Sequence, residues 1–257
     1  MTASSSRYRV GAMDVDPLRF ADVLELLAHA PVTARPLDVH FCAAHAVVEA
    51  RDDPRLSQAF RDAALVCPDG MPLVWVGRAA GRRVERVCGP DMMLALLDRS
   101  RADGRTHFFY GGADGVAERL ASRMRERYPD LRIVGCETPP FRALSDAEET
   151  ELASRINAAR PDYVWCGLGT PRQYLWISRF RERLRAAALL AVGAAFDFHA
   201  GVRPRAPRWL QRAGFEWLFR LVSEPRRLGR RYTIANARFL ALLLGQALDV
   251  RDLGERR

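Results

Sequence analysis

Six short apolar runs punctuate this chain, and their residues do not alternate with polar ones: "DVHFCAA" at 38–44, "AALVC" at 63–67, "THFFYGG" at 106–112, "LRIVGC" at 131–136, "DYVWCGLG" at 162–169 and "ALLAVGAAF" at 188–196. A strand with one wet face alternates, whereas a strand that is apolar throughout is buried on both faces. Stretches of helical period separate most of the runs, among them "GVAERLASRMRERY" at 115–128 and "DAEETELASRINAA" at 146–159. Together they predict an α/β fold: an open, mostly parallel Rossmann-like sheet with flanking helices. A chain of 257 residues, 49% of them hydrophobic, has material for one large domain or one domain plus an appendage.

Ligands of such sheets sit at the carboxyl ends of the strands. Those ends here read "CPDG", "YGGADG", "GLGTPRQ" and "GAAFDFHAG". Gly111, Gly112, Gly167 and Gly169 would let backbone N–H groups approach an anion closely. Neither "GLGTPR" nor "GGADG" fits a dinucleotide or Walker loop, so a generic dinucleotide dehydrogenase is poorly supported. Asp69 has two readings. Pro-Asp-Gly is a common turn, yet a turn closing a buried strand faces the crevice, where a desolvated carboxylate can take a proton from a hydroxyl nucleophile. His40, His45, His107 and His199 are alternative bases, three of them in or beside strand-like runs where core roles are commoner.

Farther on, "ERVCGPDMM" (85–93) offers Arg86 to neutralise a leaving phosphate, and its Gly89-Pro90-Asp91 step suits a helix start, with Asp91 as a cap or a ligand contact. Pro171 fits a first helical turn and Gln173 follows it, which suits either an anion-binding helix terminus or plain helix initiation. Asp197 interrupts an apolar segment, and a buried acid needs partners.

A net charge of +9 suggests an anionic partner, but all 40 basic residues are Arg and none is Lys. So exclusive a preference reads as compositional bias, and only local clustering of Arg carries weight. The cysteines at 42, 67, 88, 136 and 166 form no C-x-x-C pair and sit in or beside apolar runs, as reduced buried thiols do. No apolar leader opens the chain, and the longest uncharged apolar run, 186–196, is short of the roughly 18 residues a spanning helix needs. A cytosolic location is expected. Asp14 and Asp16 form a D-x-D in "MDVDP", which lies before any nucleotide-binding unit and reads as a solvated loop; two carboxylates alone make a poor hard-cation site, so no metal is expected.

From residue 201 the composition changes. Ten Arg face two acids, Glu216 and Glu224, across 203–238, interleaved with Trp209, Phe215, Trp217, Phe219 and Tyr232. One helix after Pro207, with Leu210, Gly214, Trp217 and Leu221 as its apolar stripe, is expected to end at Pro225. This divides the chain into an α/β catalytic domain, 1–200, and a helical, Arg- and aromatic-rich appendage, 201–257.

The blocks "CPDGMPLVW", "ERVCGPDMM", "FFYGGADGVAERLA", "GLGTPRQYLWI", "GAAFDFHAG" and "RAPRWLQRAGFEWLFRLVSEPRRLGRRY" resemble, in order and spacing, the WecG/TagA/CpsF glycosyltransferases, glycosyltransferase family 26, over nearly the whole chain. The resemblance implies an inverting, metal-independent transfer of an N-acetylhexosamine or related sugar from a UDP-sugar to a polyprenyl-diphosphate-linked sugar, at the cytoplasmic membrane face. It implies Asp69 as general base and Arg86, Gln173 and Asp197 around the sugar nucleotide. Arg220, Arg227 and Arg230 are then expected to close over a diphosphate when the appendage docks. No cofactor is implied, and a homo-oligomer is compatible. Three positions depart from the family pattern: Ala43 where many members carry Asn, Arg172 for Lys, and Tyr174 for Glu. They leave the donor sugar open. Competing readings are a noncatalytic nucleotide-binding membrane adaptor, which would tolerate Asp69→Asn, and a nucleic-acid-binding module, which would give Asp69, Gln173 and Asp197 no role.

Overall fold

A computed structural model describes residues 7–255; within the last helix it describes the side chains at 225, 226, 229 and 234–246. In chain order the elements are β1 (Tyr8–Val10), β2 (Met13–Val15), α1 (Phe20–Ala28), β3 (Leu37–Cys42), α2 (Ala44–Asp52), α3 (Pro54–Asp62), β4 (Leu65–Pro68), α4 (Met71–Ala79), α5 (Gly89–Ser100) and β5 (Thr106–Gly111). They continue with α6 (Val116–Arg127), β6 (Arg132–Glu137), α7 (Asp146–Ala159), β7 (Tyr163–Gly167), α8 (Arg172–Phe180), β8 (Ala188–Ala191), α9 (Ala195–His199), α10 (Arg208–Arg212), α11 (Glu216–Ser223) and α12 (Pro225–Glu255).

All six expected runs form strands of one sheet in the order β4-β3-β8-β7-β5-β6, and every neighbouring pair is parallel. Successive side chains enter opposite layers, which is why these strands tolerate no polar alternation. Val39, Phe41, Cys67, Phe109, Trp165 and Leu190 join the layer built on α1, α5, α6 and α9, while Cys42, Val66, Tyr110, Val164 and Ala191 join the layer under α2, α3 and α8. In that second layer Tyr110, Trp176 and Phe180 stack in series, with ring centroids 4.7 and 4.4 Å apart. Each such fully buried side chain contributes about 1.5–3 kcal/mol of transfer free energy.

The ends of β8 and β2 differ from expectation. The apolar run 188–196 is only partly strand: at Gly193, φ is +50°, the chain turns and the remainder becomes α9. "MDV" is a strand, not a solvated loop. Asp16, just past its end, is buried and accepts from Arg7 Nε at 3.0 Å and from Val66 N–H at 2.8 Å, fastening the hairpin to β4.

The chain after Gly201 also departs from a single helix. Gly214 adopts φ +79° and separates α10 from α11, because it passes against α4: a Cβ there would stand 3.1 Å from Met71 Cβ and 3.2 Å from the Trp75 ring. The expected end at Pro225 is met, since α11 stops at Ser223 with Glu224 as its cap, and Pro225 itself opens α12. That helix runs along α2, burying Ala235 and Phe239 and pairing Arg238 with Asp52, and Gln246 grips the β1–β2 turn by accepting from Gly11 N–H and donating to Arg9 C=O. Among the described residues no helix is long and apolar enough to cross a membrane.

The glycines at the strand ends are held by close approach. Gly111 has φ +127°, and a Cβ on it would lie 2.6 Å from the Gly167 carbonyl carbon. Gly111→Ala is therefore expected to destabilise the fold by about 1–3 kcal/mol from backbone strain alone, read as a lower urea midpoint with an unchanged slope.

Candidate active site

Since all six strands point the same way, their carboxyl ends form one rim, and a cleft of about 970 Å³ opens there between the rim and the helices after Gly201. That volume is at the upper end of the roughly 300–1,000 Å³ usual for ligand sites. Its walls include Asp69 and Arg86, the glycines 112, 167 and 169, Gln173, Asp197 and Arg220. Gly89, Asp91, Gly111 and Pro171 stand behind the wall rather than on it. Arg227 and Arg230 fall outside the described side chains.

Asp69 follows the last residue of β4. Its N–H donates to Cys42 C=O at 2.9 Å, which fixes the turn against β3, and Gly89 N–H approaches its Oδ2 at 3.5 Å. Arg86 donates through Nε to the Asp69 carbonyl at 2.6 Å, while its Nη2 reaches the Asp69 carboxylate only at 3.5 Å. Burial pushes the Asp69 carboxyl above the ordinary carboxylate range; Arg86 opposes this rise and Glu216 adds to it. A carboxylate so placed is a better proton acceptor than one in water.

Glu216, the first residue of α11, is a site residue that sequence reasoning missed. Its Oε2 accepts from Arg86 Nη2 at 2.6 Å, and its Oε1 lies 3.6 Å from Arg205 Nε. Arg205 in turn donates to Asp91, whose other oxygen accepts from the Cys88 thiol at 2.9 Å. Asp91 is thus neither the helix cap nor a cleft residue; burial would raise its carboxyl, but the bonds from Arg205 and Cys88 outweigh that and hold it below the ordinary range. The second acid of the basic stretch behaves alike: Glu224 pairs with Arg203, which also pairs with Asp197 at 2.9 Å. The available signal was that only two acids stood among ten arginines.

Gln173 is 3% exposed, donates from Nε2 to Ala191 C=O at 3.3 Å, and keeps Oε1 without a partner among the described residues. Arg220 lies over the Phe198 ring, 5.6 Å from its centroid, and its buried Nε likewise finds no described acceptor. These are the groups a donor–acceptor ligand can satisfy. Of the histidines, His107 is held in the core by Ser100 and Trp165, His40 stacks on Tyr174, and His199 binds Pro90 C=O. His45 alone of these four lines the cleft, 3.1 Å from Thr170 Oγ1.

The profile of the glycosyl transferase WecG/TagA/CpsF family matches residues 8–252. The chain belongs to that family. It is 30% identical over 187 residues to an N-acetylglucosaminyldiphosphoundecaprenol N-acetyl-beta-D-mannosaminyltransferase of Bacillus spizizenii, covering 72% of this chain and 71% of the relative. A protein of the same name from Bacillus subtilis is 30% identical over 170 residues, 66% of this chain and 64%, just under two thirds, of that relative. This chain is a glycosyltransferase.

The transferase's three departures from the family pattern have structural places. Ala43 lines the cleft at the start of α2; Arg172 stacks over Phe141; Tyr174 is buried with its OH donating to Phe41 C=O at 2.8 Å. The last is a packing role that a glutamate could not fill.

Cys88 lies beside the acid–arginine chain, but burial, then the charge of Asp69, pushes its thiol well above the ordinary value, with Arg86 too weak to reverse this. Cys42, Cys67 and Cys166 are also buried and raised; Cys136 is raised as well, by partial burial and by Glu118, but alone of the five it is partly exposed. Limited iodoacetamide treatment near neutral pH should therefore mark Cys136 first and leave Cys88 unmodified, read by peptide mass spectrometry.

Proposed function

We propose that this transferase moves an N-acetylhexosamine-type sugar from a UDP-sugar to a polyprenyl-diphosphate-linked sugar acceptor, with inversion and without a metal, in cell-surface polysaccharide synthesis. The observation that carries this reading is the position of Asp69: a carboxylate raised by burial, on the wall of the cleft, with arginines within reach. The names of the two Bacillus relatives support the acceptor class and suggest N-acetylmannosamine as the first donor to try.

In this mechanism Asp69 removes the proton of an acceptor hydroxyl as that oxygen forms its bond to the anomeric carbon. The bond from the anomeric carbon to the diphosphate oxygen breaks on the opposite face, and the electron pair leaves with UDP. Arg86, Arg220 and backbone N–H groups of the glycine turns stabilise the departing charge; donors already in place cost no reorganisation at that moment. Gln173 Oε1 accepts from an N–H or O–H of the sugar nucleotide. Residues 201–257 close over the bound donor and exclude water that would hydrolyse it. Trp209, Val222, Leu240 and Leu244, which are 60% or more exposed, together with the arginines nearby, suit an interface of acyl chains and anionic headgroups. The protein thus works on the inner face of the cytoplasmic membrane.

The test is a UDP-release assay with UDP-N-acetylmannosamine and related donors, a short-chain lipid-diphosphate-N-acetylglucosamine acceptor, and EDTA throughout. Wild type should turn over in EDTA, and Asp69→Asn should lose about 100-fold or more in kcat, the usual contribution of a positioned base. An unimpaired Asp69→Asn would remove Asp69 from the role of base, and no turnover by wild type with any donor would favour the noncatalytic adaptor. Since the base must be ionised, activity should fall as the pH drops through the raised Asp69 value, at a higher pH than an ordinary aspartate would require.

A further inference from the structure

The sole cation bonded to the Asp69 carboxylate among the described residues is Arg86, and Arg86 gives its better bond elsewhere. Its Nη2 stands 2.6 Å from Glu216 and 3.5 Å from Asp69; its Nε is spent on the Asp69 carbonyl, not the carboxylate. Two carboxylates compete for one guanidinium nitrogen, and the one from the C-terminal segment wins. Arg205, on the far side, approaches Glu216 and holds it from behind. The Glu216 side chain is 16% exposed and that of Arg86 19%, so the contest takes place where water screens weakly.

We propose that Glu216 is a positioning residue for the catalytic base: by taking Arg86 it keeps that cation from neutralising Asp69, so that Asp69 is a stronger base while the C-terminal segment is docked. The inference rests on the assignment of Asp69 as the base. It gives the closing of the cleft a chemical effect as well as a steric one, because the residue that tunes the base arrives on α11. It also leaves Arg86 Nη1, which hydrogen-bonds no described residue, for the ligand phosphates. Beyond Glu216, Arg205 also opposes the rise at Asp69 while it is paired with Asp91 and Glu216, so losing Glu216 leaves its pull less offset and acts in the same sense; the other neighbours stay constant. Cys42 on β3, Cys67 on β4, Cys88 beside α5 and Tyr174 on α8 are neutral thiols and a phenol whose own ionisation burial disfavours. Asp16 and Asp91 are each bonded to an arginine, Arg7 and Arg205. Glu216 is therefore the acidic neighbour whose removal changes the field at Asp69 twice, by losing its own charge and by releasing Arg86.

The test measures the Asp69 carboxyl directly. The full-length chain labelled with ¹³C-aspartate is titrated by NMR, with the Asp69 signal identified by its loss in Asp69→Asn, for wild type, Glu216→Gln and Glu224→Gln. Glu216→Gln should move the Asp69 midpoint to lower pH, and Glu224→Gln, which removes the other acid of the basic stretch 203–238, should leave it in place. With UDP-N-acetylmannosamine and the lipid-diphosphate acceptor, Glu216→Gln should carry the acid limb of the pH–rate profile downward with the midpoint, and lower the plateau kcat about threefold or more as the base weakens. An unchanged or raised midpoint in Glu216→Gln overturns the proposal. A lowered midpoint in a protein that turns over none of the donors supports it while overturning the assigned reaction. If Glu216→Gln does not fold, Glu216→Asp decides: its shorter carboxylate should loosen the bond to Arg86 and still lower the midpoint, and an unchanged one overturns the proposal.

Discussion

A sheet whose six strands all run parallel and are covered by helices on both faces has one place left for chemistry. Both layers are filled with side chains from Val39 to Leu190, so the few polar groups on the strands, such as His107, are taken up by core partners and none is open to a ligand there. The carboxyl ends are different: the chain must turn, backbone N–H groups are freed, and side chains from separated parts of the sequence come within a few ångströms. Asp69 after β4, Gly167 at the end of β7 and Asp197 after β8 share a wall because of this constraint alone. The close packing of Gly111 on Gly167 lets β5 and β7 finish side by side without a side chain filling the cleft.

The electrostatics of the cleft are completed by the chain after residue 201. Its stretch 203–238 is strongly basic in bulk, yet it delivers to the rim both acids of that stretch, Glu216 and Glu224. Asp69, Arg86, Glu216, Arg205 and Asp91 form a row of alternating sign, and Asp197, Arg203 and Glu224 form a shorter one beside it. Alternation lets several charges share a half-buried site that would expel any of them singly. Buried nitrogens outside these rows, such as Arg220 Nε, remain available to a charged ligand.

Much of this was legible in the sequence. Uninterrupted apolarity located all six strands, and α7 covers the 146–159 stretch of helical period, with the structure adding a capping box at Ser145. Asp69, Gln173 and Asp197 were visible as polar residues where doubly buried runs stop, and Arg86 as a cation before the Gly89-Pro90-Asp91 helix start. What was not legible has physical reasons. Apolarity cannot distinguish a strand from the buried helix α9, so β8 was drawn too long. The three-residue strands of the hairpin are too short for a period. The helix α12 carries Gly229 and Gly245 within its 31 residues, where local propensity argues against a helix, and packing against α2 overrides it. Glu216 meets Arg86 across 130 positions of sequence, a distance at which no local pattern speaks.

The grip of Gln246 on the turn between β1 and β2 ties together residues 235 positions apart in sequence. The same helix carries Asn236, Phe239, Leu240 and Leu243, which complete one side of the cleft. The small hairpin, remote from the strand ends, is thereby a brace for the chamber: what fastens it also seats the wall against which a ligand would rest.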